Sequence, residues 1–206
     1  MCGRYTLRMN PLELAEVFGV EPQPELLPRF NIAPTQMNPV IRLSEGSREL
    51  SLMRWGFIPP WAKDEKIGYR MINARSEQIA KSYKPALKSK RCLVLADGWY
   101  EWREKKPFHF RMPDNQPFAF AGLWSAWRDI ETFTIFTAQS DGIASEYHDR
   151  MPVILSPDAY DVWADPSIDG NDIIEEIVQG RQMDIEVVAA NQCVGNVKNE
   201  SPDCLN

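Results

Sequence analysis

Short strand-like runs recur along this 206-residue chain, and turns join them more often than helices do. The stretch "PVIRLSEGSRELSLMRW" at 39–55 alternates apolar and polar residues on both sides of Glu45-Gly46, which predicts a β-hairpin with a slightly long loop. Further strands are predicted at "RCLVLA", "FHFRM", "PFAFAGLW", "TFTIFTA", "PVIL" and "DIEVVA". We therefore expect an α+β fold with a largely antiparallel, barrel-like β-sheet flanked by short helices.

Helix signals are fewer and shorter than the strand signals. The segment "NPLELAEVFGV" begins with Asn10 and Pro11, places apolar residues at helical spacing and stops at Gly19. Shorter helices are predicted at "ARSEQIAKS", "PDAYDVWA" and "NDIIEEIVQ". We find no repeat, low-complexity run or linker, and 44% hydrophobic residues suffice for one core, so a single domain is expected over residues 1–206.

The cysteines and the hydropathy pattern bear on compartment and cofactors. Cys2, Cys92, Cys193 and Cys204 form no CxxC pair, and no apolar signal segment follows the start, which disfavours a zinc ribbon or a secreted disulfide framework. No apolar run has the length needed to cross a bilayer. We expect a cytoplasmic monomer with no cofactor, metal or membrane partner.

Charge is distributed unevenly along the chain. The net charge is -6, yet residues 1–105 hold 17 of the 23 Lys and Arg and only 12 of the 29 Asp and Glu. A phosphate-binding face built from the first half is compatible with this pattern, and so is an uneven surface with no ligand.

The chain opens with "MCGRYT". Methionine is normally removed in front of a residue as small as cysteine, and the mature chain would then carry an α-amine and a thiol on adjacent carbons of Cys2. An amine of pKa about 7.7 to 8.0 can add to an aldehyde as an imine, and the thiol can close a stable thiazolidine ring. The alternative is a frayed terminus with no chemical role.

Two residues could move protons beside such an aminothiol. Glu101 lies in "GWYEW" between Tyr100 and Trp102, and loss of solvation among rings raises the pKa of a carboxyl group. His148 in "HDRMP" is one of two histidines and titrates near neutrality, with Asp149 beside it. The alternatives are a surface salt bridge for Glu101 and a packing or capping role for His148.

Asn73 in "INARSE" has an amide that donates and accepts hydrogen bonds, which suits holding an amine, thiol or sugar hydroxyl. The alternative is a cap for the following helix. Four tryptophans lie in loop-like blocks where single-stranded bases could stack, namely Trp55, Trp61, Trp99 and Trp102. Trp124, Trp127 and Trp163 are assigned to packing.

Six ordered blocks follow the opening motif, namely "RFNIAPT", "RWGFIPPW", "INARSE", "ADGWYEW", "HDRMPVIL" and "VGNVKN". With them, the chain resembles the SOS-response-associated peptidase (SRAP) family over nearly its whole length. The resemblance implies the fold of that family and a covalent shield over abasic sites in single-stranded DNA, with Cys2, Asn73, Glu101 and His148 as catalytic residues. It also implies self-cleavage ahead of the cysteine, where only Met1 stands in this chain.

The resemblance further implies a DNA-binding set. Phosphate contacts are expected from Arg4, Arg75 and Arg150, because a guanidinium suits a phosphodiester, although each could instead pair with an acidic side chain. The whole set comprises Arg4, Asn31, Pro39, Trp55, Trp61, Arg75, Trp102 and Arg150.

Two other functions remain open at this point. Amidohydrolases of the glutamine amidotransferase type also begin with Met-Cys-Gly and use the cysteine thiolate as nucleophile, but they need a four-layer αββα fold. A noncatalytic single-strand binding module would explain the arginines and tryptophans and leave Cys2, Glu101 and His148 without a role.

Overall fold

The computed structural model describes residues 2–181 and 184–205. The strands in those residues are β1 Tyr5–Leu7, β2 Arg29–Ile32, β3 Met37–Ser44, β4 Ser47–Trp55, β5 Asn73–Arg75, β6 Arg91–Ala96, β7 Gly98–Arg103, β8 Lys106–Arg111, β9 Phe118–Trp127, β10 Ile130–Gln139, β11 Arg150–Pro152, β12 Ile154–Leu155 and β13 Glu186–Ala189. The helices are α1 Pro11–Phe18, α2 Ser76–Ser82, α3 Lys84–Ser89, α4 Tyr160–Ala164 and α5 Gly170–Gln179. No helix in the described ranges combines the length and apolar character needed to span a bilayer.

The strands form two sheets. One sheet has the order β13-β8-β7-β1-β2, and the other follows β11-β10-β4-β3-β6-β9-β12, with β9 also pairing with β10. This extra pairing closes five strands of the second sheet into a ring. The α+β prediction is confirmed, and most pairs are antiparallel, but β10 runs parallel to β4 and to β5.

The hairpin of β3 and β4 has a tighter turn than predicted. Ser44 pairs with Ser47, so only Glu45 and Gly46 form the loop. Both residues have positive φ, 51° and 79° respectively, as a turn matching the right-handed twist of two strands requires. The prediction of a slightly long loop was therefore wrong, while the position of the turn was right.

Helix α1 forms for the reasons that its sequence suggested. The side chain of Asn10 accepts hydrogen bonds from the backbone N–H groups of Leu12 and Glu13, and Gly19 ends the helix in the left-handed conformation. Leu14, Ala15 and Phe18 are buried. The predicted helix therefore has both of its predicted ends.

A carboxyl-terminal segment (residues 191–205) is tied to β2 by two side chains. The amide nitrogen of Asn31 donates to the carbonyl oxygens of Val194, Asn196 and Asn199 at 3.1, 3.0 and 2.9 Å. Glu200 accepts the backbone N–H groups of Phe30 and Asn31 and pairs with Arg29 at 2.8 Å. The blocks "RFNIAPT" and "VGNVKN" thus hold each other in place.

Three of the residues predicted to contact DNA are buried. Asn31 is fully buried in the clamp just described, and Trp55 is fully buried with its indole N–H donating to the carbonyl of Ile72 at 2.9 Å. Pro39 is buried within β3, opposite Leu52 of β4. None of these side chains offers a surface to a nucleic acid, because each position is used for packing or for backbone hydrogen bonds.

Candidate active site and nucleic-acid interface

The pairing of β1 with β7 brings the start of the chain to Glu101. Tyr5 lies opposite Trp99 in this antiparallel pair, and the N–H of Tyr100 donates to the carbonyl of Arg4 at 3.0 Å. Because the two strands run in opposite directions, one further step along each places residues 2–3 alongside Glu101. Two segments about 100 positions apart in sequence therefore meet.

Strand β10 brings the remaining site residues together. Its Thr137 pairs with Arg75 of β5, and its Gln139 pairs with Arg150 of β11. Asn73 begins β5, and His148 lies two positions before β11. The blocks "INARSE" and "HDRMP" therefore flank the same end of one strand.

Cys2 is fully buried, and its Sγ donates weakly to the carbonyl oxygen of Arg4 at 3.8 Å. Burial raises the pKa of the Cys2 thiol well above its usual range, and the negative charge of Glu101 raises it further. The thiol is therefore neutral at pH 7. This state fits a thiol that reacts after an amine, and it disfavours a thiolate that attacks first.

Asn73 holds the backbone of Cys2. Its Nδ2 donates to the Cys2 carbonyl oxygen at 2.9 Å, while its Oδ1 is buried and has no hydrogen-bond partner among the described residues. The alternative of a helix cap was wrong, because α2 is preceded by Arg75 and has no side-chain cap. An acceptor thus stays free beside Cys2.

Glu101 is buried, with 4% of its surface exposed. Burial raises the pKa of Glu101 to about 7, and the charge of Asp149 acts in the same direction. The raised pKa of Glu101 agrees with the sequence-based prediction, but that prediction attributed it to burial against Tyr100 and Trp102. Tyr100 and Trp102 alternate with Glu101 along β7 and pack on its other face, against Val194 and Cys204 of the carboxyl-terminal segment.

His148 is partly buried, and its Nδ1 lies within hydrogen-bonding distance of two groups. Its Nδ1 accepts the N–H of Arg150 at 3.0 Å and lies 2.7 Å from Oδ1 of Asp149. A ring with its proton on Nε2 makes the first contact, and a ring protonated on Nδ1 makes the second. Burial lowers the pKa of His148, and Asp149 opposes this effect, so the ring is neutral near pH 7 and able to accept a proton.

The three arginines expected to bind phosphate differ in their surroundings. Arg150 donates to both carboxylate oxygens of Glu77 at 2.9 and 3.0 Å and to the carbonyl of Thr137 at 2.7 Å. Arg150 therefore forms the ion pair that was the alternative to a phosphate contact. Arg4 forms no ion pair with a described carboxylate, its Nε is buried without a partner there, and burial lowers its pKa. Arg75 is exposed at the end of β5.

The tryptophans in the loop-like blocks separate into three classes. Trp61 is 75% exposed, whereas Trp55 and Trp99 are fully buried. Trp102 is half-buried on the face of β7 opposite Glu101, so the structure does not bring it to the site. The packing assignments of Trp127 and Trp163 are confirmed, while Trp124 is half-buried beneath Arg42 and Lys90.

Sequence reasoning missed Glu77 as a site residue. Glu77 accepts a hydrogen bond from the guanidinium of Arg150, although the two residues are 73 positions apart in sequence. The available signal was its place as the last residue of the "INARSE" block. Within residues 2–181 and 184–205, no three His, Cys, Asp or Glu side chains are grouped to hold a metal ion.

Comparison with known families decides the membership of the chain. The model of the SOS response associated peptidase (SRAP) family matches residues 1–197. The chain belongs to the SRAP family. Relatives span its full length: "Abasic site processing protein YoqW" of Bacillus subtilis is 38% identical, with 100% of this chain and 99% of the relative covered. YedK of Escherichia coli, named in the same way, is 32% identical with the same coverage.

A more distant relative and two solved structures are also similar to this chain. The abasic site processing protein HMCES of Gallus gallus is 29% identical over 100% of this chain and 77% of its own length. A crystal structure from Bacteroides thetaiotaomicron superposes with a TM-score of 0.84 at 22% identity, covering 99% of this chain and 98% of that one, which shows the fold alone. A phage-related protein from Bordetella bronchiseptica has a TM-score of 0.74 at 27% identity, with 92% and 94% covered.

The glutamine amidotransferase alternative does not fit these findings. That class needs a four-layer αββα fold, whereas five strands here close into a ring. It also needs a thiolate nucleophile, whereas burial raises the pKa of the Cys2 thiol.

Proposed function

We propose that this SRAP protein processes abasic sites in single-stranded DNA by forming a covalent crosslink between Cys2 and the ring-opened deoxyribose. The observation that carries the proposal is the arrangement at Cys2, whose carbonyl is held by Asn73 at 2.9 Å and which adjoins the buried acid Glu101. The three relatives named above are called abasic site processing proteins, which supports the same substrate.

The first chemical step is attack by an amine. After removal of Met1, the α-amine of Cys2 adds to the C1′ aldehyde, and the resulting carbinolamine loses water to give an imine. The departing hydroxyl needs a proton, which Glu101 donates, since a pKa of about 7 keeps much of this carboxyl protonated near neutrality. The neutral thiol then adds to the imine carbon as its proton passes to the nitrogen, closing the thiazolidine.

The sugar must open before this attack, since an abasic deoxyribose is mostly a closed hemiacetal. Opening removes the proton of the C1′ hydroxyl and protonates the ring oxygen. The neutral His148 ring suits the first of these transfers, with Asp149 stabilising the imidazolium that forms. Asn73 Oδ1 is an acceptor for the mature α-amine or for a sugar hydroxyl.

Phosphate binding is assigned to Arg4 and Arg75, and base stacking to the exposed ring of Trp61. The guanidinium of Arg4 is partly buried and pairs with no described carboxylate, which is costly in the free protein and becomes favourable once a phosphate binds it. Arg150 acts by holding Glu77 and the end of β10.

The peptidase activity of the family name would be self-cleavage between Met1 and Cys2. Met1 lies outside the described residues, so this step rests on the sequence and on the family alone. Reversal of the crosslink would pass through the same imine, which gives the protein a lyase-like release activity.

The proposed function is tested by the intact mass of the protein after mixing with single-stranded DNA that carries one abasic site. We expect a protein lacking Met1 and a one-to-one adduct whose mass equals that of protein plus DNA minus one water, stable to denaturation. Undamaged DNA of the same sequence is the control. A full-length, unmodified protein mass in both samples would contradict the proposal.

The phosphate assignment predicts a loss of noncovalent affinity in Arg4→Ala. We expect binding to single-stranded DNA to weaken about 10- to 100-fold for every sequence, because one charge-assisted contact is lost. The slope of log affinity against log salt should become shallower by about 0.7 to 1. Arg111→Ala is the matched control, since Arg111 pairs with Glu186 on the surface of β8. Equal affinities and equal salt slopes in both variants would remove Arg4 from the interface.

A further inference from the structure

Two thiols lie close together in a part of the molecule that the proposed chemistry does not use. The Sγ atoms of Cys193 and Cys204 are 3.3 Å apart, although the residues are 11 positions apart in sequence. Each lies on a short 3₁₀ helix, Gln192–Gly195 and Pro202–Leu205. The pair packs behind β7 in the cluster that contains Tyr100 and Val194.

The backbones of both cysteines are held in register by one residue. The side chain of Asn191 accepts the N–H of Cys193 at 2.9 Å, and its backbone N–H donates to the carbonyl of Cys204 at 3.3 Å. The N–H of Cys204 also donates to the carbonyl of Ser201 at 3.1 Å. The two sulfur atoms are therefore brought together by the fold before any bond joins them.

We propose that Cys193 and Cys204 form an intramolecular disulfide when the protein meets hydrogen peroxide, and that this bond fastens the carboxyl-terminal segment in its folded position. This inference is independent of the proposed DNA chemistry. The bond would add to the Asn31 and Glu200 contacts that already tie the segment to β2.

The oxidation balances as a two-electron reaction. Cys193 is half-buried and the more accessible of the two, so its thiolate attacks the peroxide oxygen and releases hydroxide, giving a sulfenic acid. Cys204 is buried, and burial together with Cys193 raises its pKa to about 11, so it is the less reactive of the two thiols towards the peroxide and reacts second. Its sulfur attacks the sulfenic sulfur, and the displaced hydroxide leaves with the Cys204 proton as water. Two thiols and one peroxide yield one disulfide and two waters.

The contrast with the other cysteines makes the pair specific. Cys92 is fully buried in the main core, where an oxidant has little access, and the Cys2 thiol donates to the carbonyl of Arg4. A disulfide that closes a short loop also restricts the unfolded chain, so oxidation should be visible in stability.

The test is a non-reducing peptide map of the reduced wild-type protein after treatment with hydrogen peroxide. We expect one linked peptide pair joining Cys193 to Cys204, an intact mass lower by two hydrogen atoms, and Cys92 recovered as a thiol. The Tm should rise by about 5 to 10 °C and return on adding dithiothreitol. Cys193→Ser should show neither the link nor the rise in Tm.

The wild-type map decides the matter even where a variant folds poorly. Recovery of Cys193 and Cys204 as thiols would overturn the proposal. So would their separate oxidation to sulfinic acids, or a link from Cys193 to a second molecule.

Discussion

Cys2→Ala is expected to form no adduct with abasic single-stranded DNA that survives a denaturing gel. The alanine variant keeps an α-amine, so it can form an imine, but it has no thiol to close the ring, and an open imine hydrolyses. The loss should be complete within detection, whereas noncovalent affinity should stay near the wild-type value because Cys2 is buried and uncharged. The measurement is the crosslinked fraction over time beside a binding isotherm.

The matched control for this prediction is Cys193→Ala, which removes a half-buried thiol far along the chain and should crosslink as the wild type does. Cys2→Ser should be intermediate at best, because an oxazolidine is less stable than its sulfur counterpart. A durable adduct in Cys2→Ala would show that the thiazolidine is not the product. A lysine imine would then be the replacement.

Local signals explain which parts of the fold were predictable. A helix end depends on a few neighbouring residues, so Asn10 and Gly19 fixed both ends of α1 in advance. Alternation fixed the strands of the hairpin in the same way. The parallel pairings of β10 with β4 and β5 have no such local signature, because each joins segments separated by about 60 to 80 residues.

In the candidate site, too, local chemistry was predictable from the sequence and burial was not. Residue chemistry and the family resemblance predicted Cys2, Asn73, Glu101 and His148 as site residues, and the structure places Asn73 and Glu101 beside Cys2. Neither separated Trp55 from Trp61, which lie in one block of sequence yet are fully buried and 75% exposed respectively. Burial depends on what the rest of the chain packs against a side chain.

The position of Trp102 relative to Glu101 had a signal in the sequence. Successive residues of a strand face opposite sides, so Trp102 could have been placed away from Glu101 once "GWYEW" was taken as a strand. The Arg150–Glu77 pair had a weaker signal, because Glu77 belongs to the "INARSE" block but nothing local links positions 73 apart. The sequence likewise could not show that Arg4 pairs with no described carboxylate, because this depends on where each of those carboxylates lies in the fold.

Glu101→Gln is expected to slow crosslinking by about 100- to 10,000-fold near pH 6, the usual contribution of a well-placed general acid. Glutamine keeps the shape and the hydrogen-bonding capacity of the side chain, so DNA binding should stay near normal while proton transfer is lost. The deficit should persist with a pre-opened aldehyde, because Glu101 acts after ring opening. His148→Ala should lose less with that substrate than with the closed sugar.

The effect of Glu101→Gln on the crosslinking rate should decrease as the pH rises. Burial raises the pKa of Glu101 to about 7, so the acid form is complete below that pH and disappears above it. The ratio of the wild-type rate to the Glu101→Gln rate should therefore be largest at pH 5 to 6 and should fall towards pH 9. Protonation of the Cys2 amine in acid lowers both rates equally, so it does not change this ratio. Release of the DNA should slow in parallel, because reversal passes through the same transition states.

Glu104→Gln, on the exposed turn after β7, is the control and should keep the wild-type profile. A rate ratio near one across pH 5 to 9 would leave Glu101 with a structural role and Cys2 with only its amine and solvent for proton transfer.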